Sequence, residues 1–312
     1  MIVVIKHIIP KEKEVQYQPS NTIDIGLVVK KKMAKYLIIN ADDFGLNKEQ
    51  NEAIKDLLNN KLITSTSLMS VASKAEEAKA FAKDIDFPVG VHITINSDEK
   101  DYTYPSLTGA PSLGKDGNFW LESKNLTFKA KRKDVRAEIE AQYQYIIGSG
   151  AKVDHADSHC GTVYGINGRR FYLDAFDFCA KHNLPFRFPK TVGFLERQIG
   201  MKIPSPVVKL QQMIVHSAEK RGVRLLDDLV SNPWSMERIK DYDTLRKYYL
   251  DAVDNCIDGV TEIFLHPALP NENYTKEWQK RDFEYKLLKS GDLLQRARDK
   301  GIEVVGWEVF KR

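Results

Sequence analysis

The chain has 312 residues, enough for one large domain or two small ones, and 42% hydrophobic with 29% charged content allows a sizeable core. A net charge of +4, with Lys and Arg spread along the chain rather than clustered among aromatics, argues against a nucleic-acid binder. Three cysteines (Cys160, Cys179, Cys256) in no CxxC spacing fit a reducing, cytoplasmic setting, and no apolar stretch is long enough to span a bilayer.

Residues 1–32 come first and carry little pattern. MIVVIKHIIP is apolar but is interrupted by Lys6 and His7, and no small-residue cleavage site follows. Lys30-Lys31-Lys32 reads better as a solvated tail than as a binding patch. The expectation is a peripheral extension over 1–32 and a single domain over 33–312, beginning near Met33.

From Tyr36 onward, short runs rich in Val, Ile, Leu and Thr alternate with helix-period segments. Strands are predicted near 36–41, 64–69, 89–95, 153–158, 185–188, 223–226, 261–265 and 302–306. Between them, KEQNEAIKDLLNN places Ala53, Ile54, Leu57 and Leu58 on one stripe. DVRAEIEAQYQYIIGSG does the same with Val135, Ile139, Tyr143, Ile146 and Ile147 and ends in Gly. Such alternation predicts an α/β fold with a parallel sheet under helices. About eight units fit a distorted, TIM-barrel-like (β/α) barrel, with an open doubly wound sheet as the alternative. Residues 96–130, rich in Gly, Pro, Ser and aromatics, read as a long inserted loop near the mouth, and 190–215 as a second insertion.

Acids and imidazoles then fall at strand ends. Asp42 and Asp43 close the first strand in NADDFG, and His92 lies in GVHITIN. His155, Asp157 and His159 lie in VDHADSHCGT, and His266 follows in EIFLHPA. The C-terminal edge of a parallel sheet is where such folds bind ligands. Each residue alone has a plain reading: a lone strand histidine is more often packed than ligating, and an Asp pair can cap a helix. Asn47, with Gln50 three residues on, competes for that cap. Convergence on one edge favours a metal site of one carboxylate and two imidazoles, with a second carboxylate free to take a proton.

In that order the four motifs resemble the YdjC-like carbohydrate deacetylases, which include chitooligosaccharide deacetylases and are related to the NodB-type polysaccharide deacetylases. The motifs span residues 40–267. The resemblance implies a distorted barrel with Asp43, His92 and His159 holding a divalent ion, Mg2+ or Zn2+. It implies Asp42 as general base on the bound water and His266 as general acid near the leaving group. The implied reaction removes N-acetyl groups from amino sugars or oligosaccharides. His155 and Asp157 are expected just outside the ligands, and Glu262, two strand steps before His266, either orients that imidazole or forms a core salt bridge. Tyr104 and Trp120 in the long loop are candidate sugar-stacking residues, equally readable as loop packing. Cys160 stands where many members continue with histidines, and a strand's alternation would turn it to the opposite face. His7, His182 and His216 carry no supporting pattern. An esterase or other amidohydrolase on acetylated glycans, and a non-catalytic sugar-binding barrel, remain alternatives. A homodimer is compatible with the sequence.

Overall fold

The aliphatic runs form strands and the striped segments form helices over them. The structure is a computed structural model and describes residues 34–98, 103–121, 123–165, 168–272 and 275–311. The expected peripheral segment over 1–32 lies outside the described residues. In chain order the strands are β1 (Lys35–Phe44), β2 (Ser65–Leu68), β3 (Val89–Ile93), β4 (Gly114–Lys115), β5 (Asn118–Phe119) and β6 (Val153–Ser158). They continue with β7 (Phe186–Pro189), β8 (Leu225–Leu226), β9 (Asp228–Val230), β10 (Gly259–Leu265) and β11 (Glu303–Val304).

The main sheet runs β8-β7-β6-β3-β2-β1-β10-β9, and its neighbours pair in parallel. Asp227 alone separates β8 from β9, so the two ends of this order belong to one chain segment. That segment bonds outward on both sides: Lys190 N–H donates to the Leu226 carbonyl at 2.8 Å, and Asp227 N–H to that of Val260 at 2.9 Å. The sheet therefore curls round on itself, as an irregular (β/α) barrel. The strand expected at 302–306 is short; β11 lies against Tyr36 and Leu37 of β1, before β2 takes over that edge at Asn40. The long loop carries the antiparallel β4–β5 hairpin and a helix, Ser123–Lys129. The second insertion is helical, Gly193–Ile199 and Ser205–Glu219. Among the described residues no helix is long and apolar enough to cross a membrane.

Strand alternation sorts the side chains. Leu37, Ile39 and Ala41 share the large outer core with helix residues such as Ile54 and Leu57. Ile38, Leu226, Leu229, Val260, Val305 and Trp307 form a separate apolar floor. Two steps up the strands the interior turns polar: Asn40 and Asp42 on β1, Ser65 and Ser67 on β2, His155 and Asp157 on β6, Arg187 on β7 and Glu262 on β10, all buried. Buried polar groups on this scale are tolerable only when they pair. Space is also rationed. Gly90 sits opposite His155 in register, and a Cβ there would fall 2.2 Å from His155 Nε2.

Candidate metal centre

The site begins with a fault in β1. The pairing register with β2 shifts between Ala41 and Phe44, and Asp43 adopts φ 68. A bulged residue in the left-handed region interrupts the in–out alternation, and Asp tolerates that region better than most. Both carboxylates are thereby buried, Asp42 3% and Asp43 1% exposed. Neither is needed as a helix cap: Asn47 accepts from Gln50 N–H at 3.0 Å at the start of helix Lys48–Asn59.

Asp43 Oδ1 lies 3.3 Å from His92 Nε2 and 3.3 Å from His159 Nδ1, and those two nitrogens are 3.2 Å apart. A tetrahedral ion with ligands at about 2.0–2.1 Å would hold such atoms about 3.3–3.4 Å apart. Asp43 Oδ1 is buried and has no hydrogen-bond partner, the signature of a position meant for something else. The other oxygen is held by Arg281 Nη1 at 3.0 Å and Gln50 Nε2 at 3.3 Å. Burial opposes the charge on Asp43, but His159, His92 and Arg281 outweigh it and keep its carboxyl well below the usual range. The residues present fit a divalent cation.

Each imidazole is gripped from behind. His92 Nδ1 meets Asp157 Oδ1 at 2.7 Å and Ser67 Oγ at 3.1 Å. Burial works against protonating His92, yet Asp157 and Asp43 raise it to about 9. His159 Nε2 lies 2.9 Å from both oxygens of Asp98.

The Asp42 side differs. Arg187 reaches Asp42 through both terminal nitrogens, each at 2.8 Å, and pairs with Asp157 at 2.9 Å and Glu262 at 2.7 Å. Asn40 Nδ2 donates to Asp42 Oδ1 at 2.6 Å. One guanidinium thus serves three buried carboxylates, and burial lifts Glu262 to about 7 despite Arg187. His266 Nε2 is 3.8 Å from Asp42 Oδ2, its side chain is 33% exposed, and its backbone N–H donates to Glu284 Oε2 at 2.7 Å.

Several placements are decided or changed. Of the two roles open to Glu262 the salt bridge is the one formed: it pairs with Arg187, deeper in the interior than His266. His155, expected just outside the ligands, instead meets Asp154 at 2.6 Å and stacks on Trp307 of the floor with ring centroids 4.4 Å apart. Tyr104 offers no open face to a sugar: it is 3% exposed, lies edge-on to His159, and donates to Asp98 Oδ2 at 2.8 Å. Trp120 donates to the Ser112 carbonyl at 3.1 Å, and Lys129 Nζ covers its ring at 4.0 Å. Cys160 does not turn away. The strand ends at Ser158, Cys160 takes φ 49, and its Sγ comes 3.4 Å from both His159 Nε2 and Asp98 Oδ1. Sequence reasoning missed Arg187, Arg281 and Asp98. Arg187 had a signal, a lone cation inside the apolar run LPFRFP; Arg281 lies on helix Lys276–Ser290 and had none.

The family model described as YdjC-like protein matches residues 36–299. A carbohydrate deacetylase of Thermoanaerobacter pseudethanolicus is 28% identical over 284 residues, covering 89% of this chain and 100% of that protein. A chitooligosaccharide deacetylase of Proteus mirabilis is 36% identical over 129 residues, 41% of this chain and 49% of that protein. A crystal structure from Enterococcus faecalis V583, described in terms of cellobiose-phosphate cleavage, superposes with a TM-score of 0.69 at 24% identity. It covers 89% of this chain and 99% of its own, and carries the fold alone.

Proposed function

The chain belongs to the YdjC-like family, and from that premise we propose that it is a metal-dependent hydrolase removing N-acetyl groups from amino sugars or chito-oligosaccharides. The observation that carries the reading is the triangle of Asp43 Oδ1, His92 Nε2 and His159 Nδ1, with edges of 3.2–3.3 Å around an otherwise unpartnered buried oxygen. The names of the relatives, carbohydrate and chitooligosaccharide deacetylases, supply the substrate class.

Asp43, His92 and His159 would hold the ion, and a set of two nitrogens and one oxygen suits zinc better than magnesium, which prefers oxygen. Such an ion supplies Lewis acidity, polarising an amide carbonyl and making water easier to deprotonate. The remaining work falls to the chain's own groups. Arg281 and Gln50 fix one oxygen of Asp43, which aims the other at the imidazoles. Arg187 and Asn40 hold Asp42 beside the triad, where its carboxylate takes the proton of the attacking water. His266, 3.8 Å from Asp42 and open to the mouth, gives a proton to the departing sugar nitrogen.

The test is acetate release from N-acetylated mono- and oligosaccharides, with metal content measured on the same sample. We expect acetate from at least one N-acetyl substrate and loss of both ion and turnover on chelation. A metal-loaded protein that frees acetate only from O-acetyl sugars, or from none, overturns the proposal.

A further inference from the structure

The two imidazoles of the triad face it through opposite nitrogens. His92 offers Nε2 and keeps Nδ1 for Asp157; His159 offers Nδ1 and keeps Nε2 for Asp98. A neutral imidazole carries one proton, and whichever ring nitrogen bears it cannot bind a cation. For His92 the choice is made inside the barrel by Asp157, which is fully buried and paired with Arg187. For His159 it falls to a residue outside the sheet. Asp98 follows β3 at the start of the long loop, with a side chain about a quarter exposed.

Asp98 is itself held. Tyr104 Oη donates to its Oδ2 at 2.8 Å, while Tyr104 N–H donates to Ser97 Oγ at 2.9 Å and the tyrosine ring packs edge-on to His159. Cys160 Sγ approaches its Oδ1 at 3.4 Å. Asp98 and Tyr104 of the loop thus both lie against the His159 imidazole.

We propose that Asp98 is the positioning residue for His159: it accepts the Nε2 proton, fixes the ring, and leaves Nδ1 bare toward Asp43 and His92, with Tyr104 as its brace. This rests on the metal reading given above. It also gives this part of the loop a defined task, because Asp98 completes the setting of one ligand of the centre. Carboxylates behind ligating histidines typically change metal affinity by about 10–100-fold.

The experiment titrates zinc, in competition with a chromophoric chelator, into wild type, Asp98→Ala, Asp98→Asn, Tyr104→Phe and Cys160→Ala. Nitrogen-resolved spectra of the imidazoles are recorded on the same zinc-loaded proteins. We expect Asp98→Ala to weaken zinc by about 10–100-fold. Asp98→Asn, which keeps an acceptor oxygen, should lose less, Tyr104→Phe a few-fold, and Cys160→Ala little. Wild type should show His159 protonated at Nε2, and Asp98→Ala should show that proton redistributed. Should Asp98→Ala fail to fold, Asp98→Asn and Tyr104→Phe carry the same comparison. Affinity within twofold of wild type in the Asp98 variants, or a His159 proton on Nδ1, overturns the assignment. So does a second ion per chain lost with Cys160→Ala, which would make Asp98, His159 and Cys160 a cation site of their own. If wild type takes up no zinc or other divalent ion, the functional reading fails first and separately.

Discussion

Asp42 and Asp43 are neighbours in sequence and almost equally buried, yet the two halves of the site they anchor are built on opposite principles. Around Asp42 every oxygen has donors: Arg187 on both, Asn40 on one. Around Asp43 one oxygen is clamped by Arg281 and Gln50, while the other faces two imidazoles and has no hydrogen-bond partner. A saturated carboxylate is oriented; an unsaturated one is available. The difference originates in one backbone angle, φ 68 at Asp43, which lets two consecutive side chains enter one cavity on different sides. The saturated half draws on the barrel interior, the available half on the strand ends and the loop.

The largest effect should come from removing the cation on which the saturated half depends. Arg187→Met leaves Asp42, Asp157 and Glu262 buried together without their common partner. Losing one member of a buried ionic set costs about 3–5 kcal/mol. Urea unfolding should show a loss of that order, or no soluble folded protein. A change below about 1 kcal/mol would mean that the interior is better hydrated than its burial implies.

Next come the two acids themselves. Asp43→Asn should abolish stoichiometric metal uptake if the orphaned oxygen is the ligand, as proposed. Asp42→Asn should keep the metal and lower kcat by about 10²–10⁴-fold, the usual scale for a lost general base. Metal analysis and initial rates on both variants check this. An Asp42→Asn protein that lacks metal while Asp43→Asn retains it would reverse the two halves.

How much of this was legible in the sequence differs between the halves. The strand ends were: Asp42, Asp43, His92 and His159 could be placed on one edge because strands count in twos and parallel sheets bind at their C-terminal ends. The second half of the segment joining β7 to β10 was not, since β9 is three residues long and carries too little pattern. The groups holding the acids were also hidden. Arg187 could have been suspected as a cation in an apolar strand, but Arg281 is one of several charged residues on its helix, and nothing local says that it turns inward. Asp98 lies in a polar loop where an acid is unremarkable until His159 is seen against it. The sugar wall was read from aromatic composition, which does not distinguish a face turned to solvent from one turned to Asp98 or covered by Lys129.

A pH experiment sharpens the saturated half. Burial raises the Glu262 carboxyl from its ordinary value near 4.5 to about 7. A group raised on folding adds stability below its unfolded value, and that stability is lost as pH rises through the folded one. Wild type should therefore lose this contribution between about pH 4.5 and 7, whereas Glu262→Gln, which cannot ionise, should not. The stability difference between the two should move in favour of the glutamine by about 1 kcal/mol or more across that window, read from denaturant melts at pH 5 and pH 8. A pH-independent difference would mean that Arg187 keeps Glu262 ionised throughout.

The smallest effects come from the neutral donors, which test whether the two halves act separately. Of the two carboxylates, Gln50 meets only the clamped oxygen of Asp43, at 3.3 Å, and Asn40 meets only Asp42, at 2.6 Å; their amide oxygens accept from Asn47 and Ser65. Each is one hydrogen bond beside a stronger guanidinium contact, worth about 1 kcal/mol, or a few-fold in an equilibrium or a rate. Gln50→Ala should weaken metal binding a few-fold and leave kcat of the saturated enzyme unchanged. Asn40→Ala should lower kcat a few-fold and leave metal affinity unchanged. Since Asp42 and Asp43 are consecutive, any rigid-body shift of β1 would move both readouts in both variants. Crossed effects of equal size would therefore show that the two carboxylates move as one unit, and that the division between them is geometric but not functional.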